Sequence, residues 1–326
     1  MSESRNGLPL TANGLPRGLR AVGSQPSAVG PSTGDAPARK LKRRRFTSSI
    51  GFVVLALPLG GFLLFIVYIF GYLYAQGARV LNWHFLTQSP TEGMTAGGIW
   101  PCIVGTVLVT FVSLVFSIPI GVFSGLYLSE YAPANFVTRI IRSSIRSLAG
   151  IPSIVYGLFG VALFVSGLKF GPSILASGLT LGLMNLPWII STAEEAITAI
   201  PSSFREGALA LGTTKWEAIR HNVLPFAFPG ILTGVLLAFA RTMGEVAPIL
   251  FTGVTYFTKE LPTSVFSKFM ALPYHLFALA TQHDQVMTVR PIAFGTAIVL
   301  LAFVLALDAV ALIVRLRLAK AQRWQV

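Results

Sequence analysis

"EGALALGTTKWEAIRHNVLP", residues 206–225, is charged, turn-rich and helix-forming, yet apolar runs stand close on both sides. Upstream, "FGPSILASGLTLGLMNLPWIISTA" (170–193) holds no Asp, Glu, Lys or Arg, and downstream "FAFPGILTGVLLAFA" (226–240) holds none either. Within the polar element, Ser203 followed by Glu206 is a capping-box pattern, and so is Thr214 followed by Glu217. Phe204, Ala208 and Leu211 share one helical face, and Trp216, Ile219 and Val223 share the next. Gly212 supplies the left-handed residue on which a helix ends. Leu224-Pro225 is expected to close the element, because proline disfavours helical geometry in the residue before it. The spacing thus predicts helix, glycine turn, helix between two apolar runs.

Those runs set the class. Of 326 residues, 53% are hydrophobic and only 11% charged, against about 25% charged in a soluble domain. Residues 93–129 and 147–168 are also free of Asp, Glu, Lys and Arg, and roughly 20 apolar residues cross a hydrocarbon core. Runs such as "AIVLLAFVLAL" (297–307) do not alternate, which excludes a membrane β-barrel. The chain reads as an all-α integral membrane protein with six transmembrane helices, at roughly 50–75, 98–127, 147–168, 171–192, 226–251 and 292–314.

Charge placement orients those spans. "RKLKRRR" contributes Arg39, Lys40, Lys42, Arg43, Arg44 and Arg45 directly before the first apolar run. A nuclear or nucleic-acid patch is the other reading of such a cluster, but its juxtamembrane position makes it a cytoplasmic topology anchor. With both termini cytoplasmic, 19 Lys/Arg fall inside and only Arg79, Lys169, Lys259, Lys268 and Arg290 outside. The expected divisions are a disordered basic cytoplasmic tail over 1–45, a first transmembrane helix with its outer loop over 46–95, and a transmembrane domain over 96–318. The tail's Gly, Pro and Ser content supports disorder, and its apolar run lies too far from the start for a secretory signal. Small-residue pairs at Gly121/Gly125, Gly178/Gly182 and Gly230/Gly234 are expected at helix–helix contacts. The lone Cys102 forms no intrachain disulfide and brings no metal cluster, and no nucleophile–base constellation appears, so no catalytic residue and no metal site are assigned.

Three roles compete for 203–225: a DNA-binding helix-turn-helix, a loop lying on the bilayer, and a docking site for a soluble partner. Tethering to two spans, with Glu206 and Glu217 offsetting Arg205, Lys215 and Arg220, argues against nucleic acid. Glu206-Gly207-Ala208, then Gly212, then Leu224-Pro225 resembles the coupling loop of ABC-importer permeases, with Gly207 in an alanine slot and Asn222 in an isoleucine slot. "YLSEYAP" (127–133), "LAGIPSIVYGLFG" (148–160), "FPGILTGVLLAFARTMGEVAPILFTG" (228–253) and "MALP" (270–273) narrow the resemblance to PstA-type permeases of the phosphate-specific importer.

That resemblance implies a MetI-like ABC permease core in a bacterial inner membrane, with 203–225 as coupling loop and Glu206, Gly207, Ala208, Gly212, Trp216, Leu224 and Pro225 facing an ATPase. It further implies a second, PstC-like permease, two PstB-like ATP-binding subunits and a PstS-like periplasmic phosphate-binding protein. The chain has no G-x-x-x-x-G-K-[ST] loop, so it is expected to bind no cofactor and to rely on ATP used by its partner. It is a transporter subunit in this reading, not an enzyme. The alternatives are a permease for sulfate, molybdate or phosphonate, or a membrane scaffold that recruits a cytoplasmic partner.

Arg241 and Glu245, with Asp308, are the ionisable residues deep in the expected spans. Charges there are costly and point to function. At i, i+4 the first two share a helix face and can pair. A guanidinium fork suits phosphate oxygens, so Arg241 is expected to meet the translocating anion while Glu245 compensates it in the empty state. The alternative is an ion pair that holds this helix against the partner permease. Asp308, near Arg315, is read as structural. The long segment 253–291 is expected to cap the outer mouth or contact the binding protein, or simply to pack.

Overall fold

A computed structural model describes the backbone of residues 35–323 and the side chains of Phe52 and residues 54–317. Its contacts divide the chain into two units, one ending at Phe65 and the other running from Ile66 onward. Helix α1 spans Asp35–Gly77. Of the tail expected to be disordered, residues 1–34 lie outside the described residues, but 35–45 are helical. "ARKLKRRR" is rich in good helix formers, which outweighs the flanking tail composition. The side chains of the anchor residues Arg39 to Arg45 lie outside the described residues. From Val54 to Phe65 the apolar side chains are mostly exposed.

In the second unit the order is α2 (Trp83–Thr87), β1 (Pro90–Thr91) paired antiparallel with β2 (Ala96–Gly97), α3 (Trp100–Leu126), α4 (Phe136–Leu148), α5 (Ser153–Gly160), α6 (Ile174–Thr198), α7 (Ser202–Ala210), α8 (Lys215–Ala218), α9 (Leu224–Gly244), α10 (Ala247–Thr252), α11 (Leu272–Thr281) and α12 (Val286–Arg323). Five helical stretches are long and apolar enough to span a bilayer: Val54–Gly77, Trp100–Tyr131, Ile174–Thr198, Lys215–Gly244 and Val286–Arg317.

A sixth span exists only as a bent pair. Within the expected span over 147–168 the helical run is Ser153–Gly167; α4, in the segment read as lying before that span, meets it at 101°, and only the two together reach spanning length. Gly150 and Pro152 explain the turn: Pro152 sits extended at ψ 137° and starts α5, so the helix cannot run through. α4 carries Arg139, Arg142 and Arg146 among apolar residues and is amphipathic, unlike the spans.

α6 is the centre of the fold. It lies against α3 on one side and α9 on the other, and the six paired glycines mark both seams. A Cβ on Gly121 or Gly125 would strike Ile189 or Ala193, and one on Gly178 or Gly182 would strike Val112 or Phe116. Gly230 and Gly234 are held as closely against Ala196 and Thr192. Small residues let these backbones approach where lipid removes the hydrophobic drive. Cys102 is fully buried in the α3 part of the core.

The segment after α10 folds back into the protein. The N–H groups of Ile174 and Leu175, which open α6 and have no partner inside the helix, donate to the carbonyls of Ser267 and Val265 at 3.0 and 2.8 Å. Phe269, Met270, Ala271 and Leu272 are fully buried, and the Leu272 N–H donates to Thr106 Oγ1 at 2.8 Å. Of the roles considered for 253–291, packing is thus directly visible.

Candidate functional site

The element over 202–225 forms helix, glycine turn, helix. Gly212 has φ +82°, the left-handed geometry that only glycine adopts without strain, and it follows Leu211, the residue that caps α7. The second capping box is formed: Glu217 Oε2 accepts from both the Thr214 N–H and the Thr214 hydroxyl at 2.8 Å, and the Glu217 N–H donates to Thr214 Oγ1 at 3.3 Å. The first capping box does not form. Pro201 occupies the N-cap, so Ser203 falls inside the first turn and has no orphan N–H to accept from.

Pro225 does not end the element. The helix runs from Lys215 to Gly244 without a break. Residues Ile219–Val223 make a π-turn whose wider winding accommodates the missing N–H and the bulk of the Pro225 ring. α8 and α9 are therefore one continuous helical rod from Lys215 to Gly244, with Trp216 near one end and Arg241 near the other.

The apolar stripes divide between core and surface. Ile219 and Val223 are buried with Leu126, Ala193, Ile197, Ala227 and Ile231, and Leu224 packs at the edge of that cluster. Phe204 stacks edge-on with Phe226 at 4.9 Å between centroids, and Ala208 is buried. Leu211, expected on the face of Phe204 and Ala208, is instead 86% exposed, because it caps α7 and leaves the helical path. With Leu209 and the half-exposed Trp216 it makes an apolar rim around the Gly212 turn. Glu206 and Gly207 are exposed alongside, and a Cβ on Gly207 would meet nothing within 4 Å.

The second candidate region is the end of α9. Arg241 Nε lies 3.3 Å from Glu245 Oε1, and its guanidinium sits 5.4 Å from the Trp188 ring centre. The pair forms as the spacing predicts, but not on a continuous helix. α9 stops at Gly244, Glu245 is extended at ψ 131°, and α10 begins at Ala247 with Pro248 in its first turn. A helix through this point would set the Pro248 ring against the Gly244 carbonyl, which forces the break. Both side chains remain partly open, 37% and 18% exposed.

Sequence reasoning did not identify the polar wall behind that pair. Asn185 of α6 donates through Nδ2 to Thr242 Oγ1 at 2.5 Å and to Ser113 Oγ of α3 at 3.3 Å. Asn185 Oδ1 and Ser117 Oγ are buried with no partner among the described residues. An Asn inside an apolar run was the available signal. Sequence reasoning likewise left Arg205 and Glu130 without roles, although they form an ion pair of 2.6 Å. Because α6 extends to Thr198, its last turns also carry Glu194, paired with Arg142 at 2.6 Å, and Glu195. Asp308 and Arg315 line one groove with Thr233, and no ion pair joins them among the described residues.

Residues 117–320 match the family described as binding-protein-dependent transport system inner membrane component. The chain belongs to that family. It is a multi-pass membrane protein of the ABC permease class, a transporter subunit and not an enzyme, and such permeases work in complexes with further permease and ATPase subunits. It is 34% identical to the probable ABC transporter permease protein YqgI of Bacillus subtilis over 251 residues, 74% of this chain and 85% of the relative. It is 32% identical to the phosphate transport system permease protein PstA 1 of Mycobacterium tuberculosis over 281 residues, 84% of this chain and 89% of the relative. In fold it resembles a bacterial ABC transporter involved in importing the acidic polysaccharide alginate, with a TM-score of 0.55 at 16% identity, covering 82% of this chain and 98% of that one. The resemblance to PstA-type permeases and the MetI-like fold are thereby established.

Proposed function

We propose that this permease conducts inorganic phosphate in an ATP-driven importer. It forms the translocation path with a second, PstC-like permease, and a PstS-like binding protein delivers the substrate. Two PstB-like subunits supply ATP hydrolysis, and this chain binds no nucleotide. The observation that carries the reading is the apolar rim of Leu209, Leu211 and Trp216 around the Gly212 turn, at the foot of a single rod that carries Arg241 in its last turn. Such a rim is costly in water and fits a hydrophobic groove on a docked ATPase. The names of the PstA relatives support phosphate as the substrate.

In this reading 203–225 faces the cytoplasm together with both termini, and Arg39 to Arg45 hold that orientation. Docking pushes or turns the rod, and the displacement reaches Arg241. Its guanidinium donates two parallel hydrogen bonds to phosphate oxygens and stays charged throughout. Glu245 holds Arg241 when no anion is present and is displaced from it by phosphate.

The test is ATP hydrolysis in liposomes that contain this chain with its candidate ATPase, co-permease and binding protein. Phosphate is expected to stimulate hydrolysis, and a Gly212→Pro variant, which cannot adopt φ +82°, to lose the stimulation. Stimulation by sulfate or molybdate instead overturns the substrate. No stimulation by any oxyanion in an assembled complex overturns the transport reading in favour of a scaffold.

A further inference from the structure

One guanidinium joins three helices at the base of the docking element. Arg205 of α7 holds the Glu130 carboxylate with two nitrogens, Nε to Oε1 at 2.8 Å and Nη2 to Oε1 at 2.6 Å. The same group donates from Nη1 to the Ile200 carbonyl at 2.7 Å and from Nη2 to the Ile197 carbonyl at 2.8 Å. Ile197 lies in the last turn of α6, where intrahelical partners run out, and Ile200 lies in the short link between α6 and α7. Glu130 closes the helical run that continues α3 to Tyr131, and its side chain is only 6% exposed. From the other side of the Gly212 turn, Lys215 donates its Nζ to the Glu130 main-chain carbonyl and lies 4.7 Å from the Tyr131 ring centre.

The arrangement solves a mechanical problem. α9 moves with the docking element because α8 and α9 are one rod. α3 has no such covalent continuity with it, yet α3 packs against α6, which in turn packs against α9. Glu130 is where both halves of the element grip α3.

We infer that the Arg205–Glu130 pair is the tie that transmits motion of the docking element to α3 and α6, which makes both residues positioning residues for coupled transport. This rests on the docking role proposed above for residues 203–225. The planar fork is essential to it, since only a guanidinium serves a carboxylate, the last-turn carbonyl of Ile197 and the link carbonyl of Ile200 at once. Glu130→Gln removes the charge and keeps the shape, so it loosens the tie while the rim around Gly212 stays intact.

Two measurements test the inference together. In the chain reconstituted alone, spin labels at Ala134→Cys and Ala210→Cys report the distance between the turn that follows the α3 run and α7; Cys102 is fully buried and stays in place. Glu130→Gln is expected to broaden that distance distribution, and Arg205→Lys, which loses the fork to both carbonyls as well, to broaden it at least as much. An unchanged distribution in Glu130→Gln overturns the tie without reference to any ATPase. In the assembled importer, the Glu130→Gln chain is expected to retain its ATPase subunits and basal hydrolysis, while phosphate moved per ATP falls by about fivefold or more, the low end of inter-site coupling. A broadened distribution with unchanged phosphate per ATP overturns the transmission role. Loss of the ATPase from Glu130→Gln alone overturns it too, because the pair would then shape the docking surface. A wild-type chain that holds no ATPase defeats the docking reading and the coupling role with it, while the label distances still judge the tie itself.

Discussion

Asn185 on α6 donates to Thr242 on α9 at 2.5 Å, directly beside Arg241 and inside the apolar body of the protein. The same amide reaches Ser113 on α3, so one side chain pins the three central helices at one level. Asn185→Leu removes both bonds and leaves two hydroxyls facing a hydrocarbon side chain. Interhelical bonds in membranes contribute about 0.6 kcal/mol on average and up to about 1.7. The variant is expected to lower the thermal midpoint in detergent and to weaken phosphate uptake by letting the end of α9 shift. A fluorescence melting curve beside an uptake assay separates the two effects.

Arg241→Ala and Arg241→Lys distinguish the two roles left for the Arg241–Glu245 pair. As an anion ligand, Arg241 loses its bidentate geometry in the lysine variant, and phosphate uptake is expected to fall in both, by roughly tenfold or more for alanine, since charge-assisted bonds contribute about 1.5–3 kcal/mol each. As a purely structural pair, Lys would serve nearly as well. Uptake by purified complex in liposomes, with subunit stoichiometry checked, reads the difference.

Gly207 and Gly212 lie five residues apart and respond oppositely to alanine. At Gly207 the position is helical and the space open, so Gly207→Ala is expected to stabilise α7 by about 0.5–1 kcal/mol. At Gly212 the left-handed backbone penalises a Cβ by about 1–2 kcal/mol, so Gly212→Ala destabilises the turn. Hydrogen exchange over 202–218 is expected to slow in the first variant and quicken in the second.

His275 on α11 is fully buried, and neither ring nitrogen has a partner among the described residues. Burial, aided by the charge of nearby His283, pushes its pKa down from 6.5 to about 4. Between those values the unfolded chain binds the extra proton and the folded chain does not, so stability falls as pH drops from 6.5 toward 4. Above pH 6.5 the contribution is fully present. The window corresponds to about 3 kcal/mol at 1.36 kcal/mol per pH unit. The detergent melting temperature is expected to drop on acidification, and His275→Phe to flatten that drop.

Local chemistry made much of this protein legible in its sequence. The absence of charge over long runs decided the membrane class, because a buried ion is too costly to conceal. Gly212 and the Thr214–Glu217 box were readable because both act within four residues of chain. The glycine pairs announced the seams of α6, since their spacing is the helical repeat itself. Where the local signals misled, a neighbour had overruled them. Pro201 displaced the Ser203 cap, the π-turn over Ile219–Val223 let the helix pass Pro225, and Gly150 with Pro152 delayed the start of the span expected over 147–168 to Ser153. Tertiary structure alone decided the long-range pairs. Arg205 and Glu130 are 75 residues apart, and Asn185 and Thr242 are 57 apart. Each is an ordinary polar residue on its own helix. Only the way α7 and the ends of α3 and α6 pack brings Arg205 to Glu130, and only the packing of α3, α6 and α9 brings Asn185 to Thr242, where an apolar surround offers those groups no other partner.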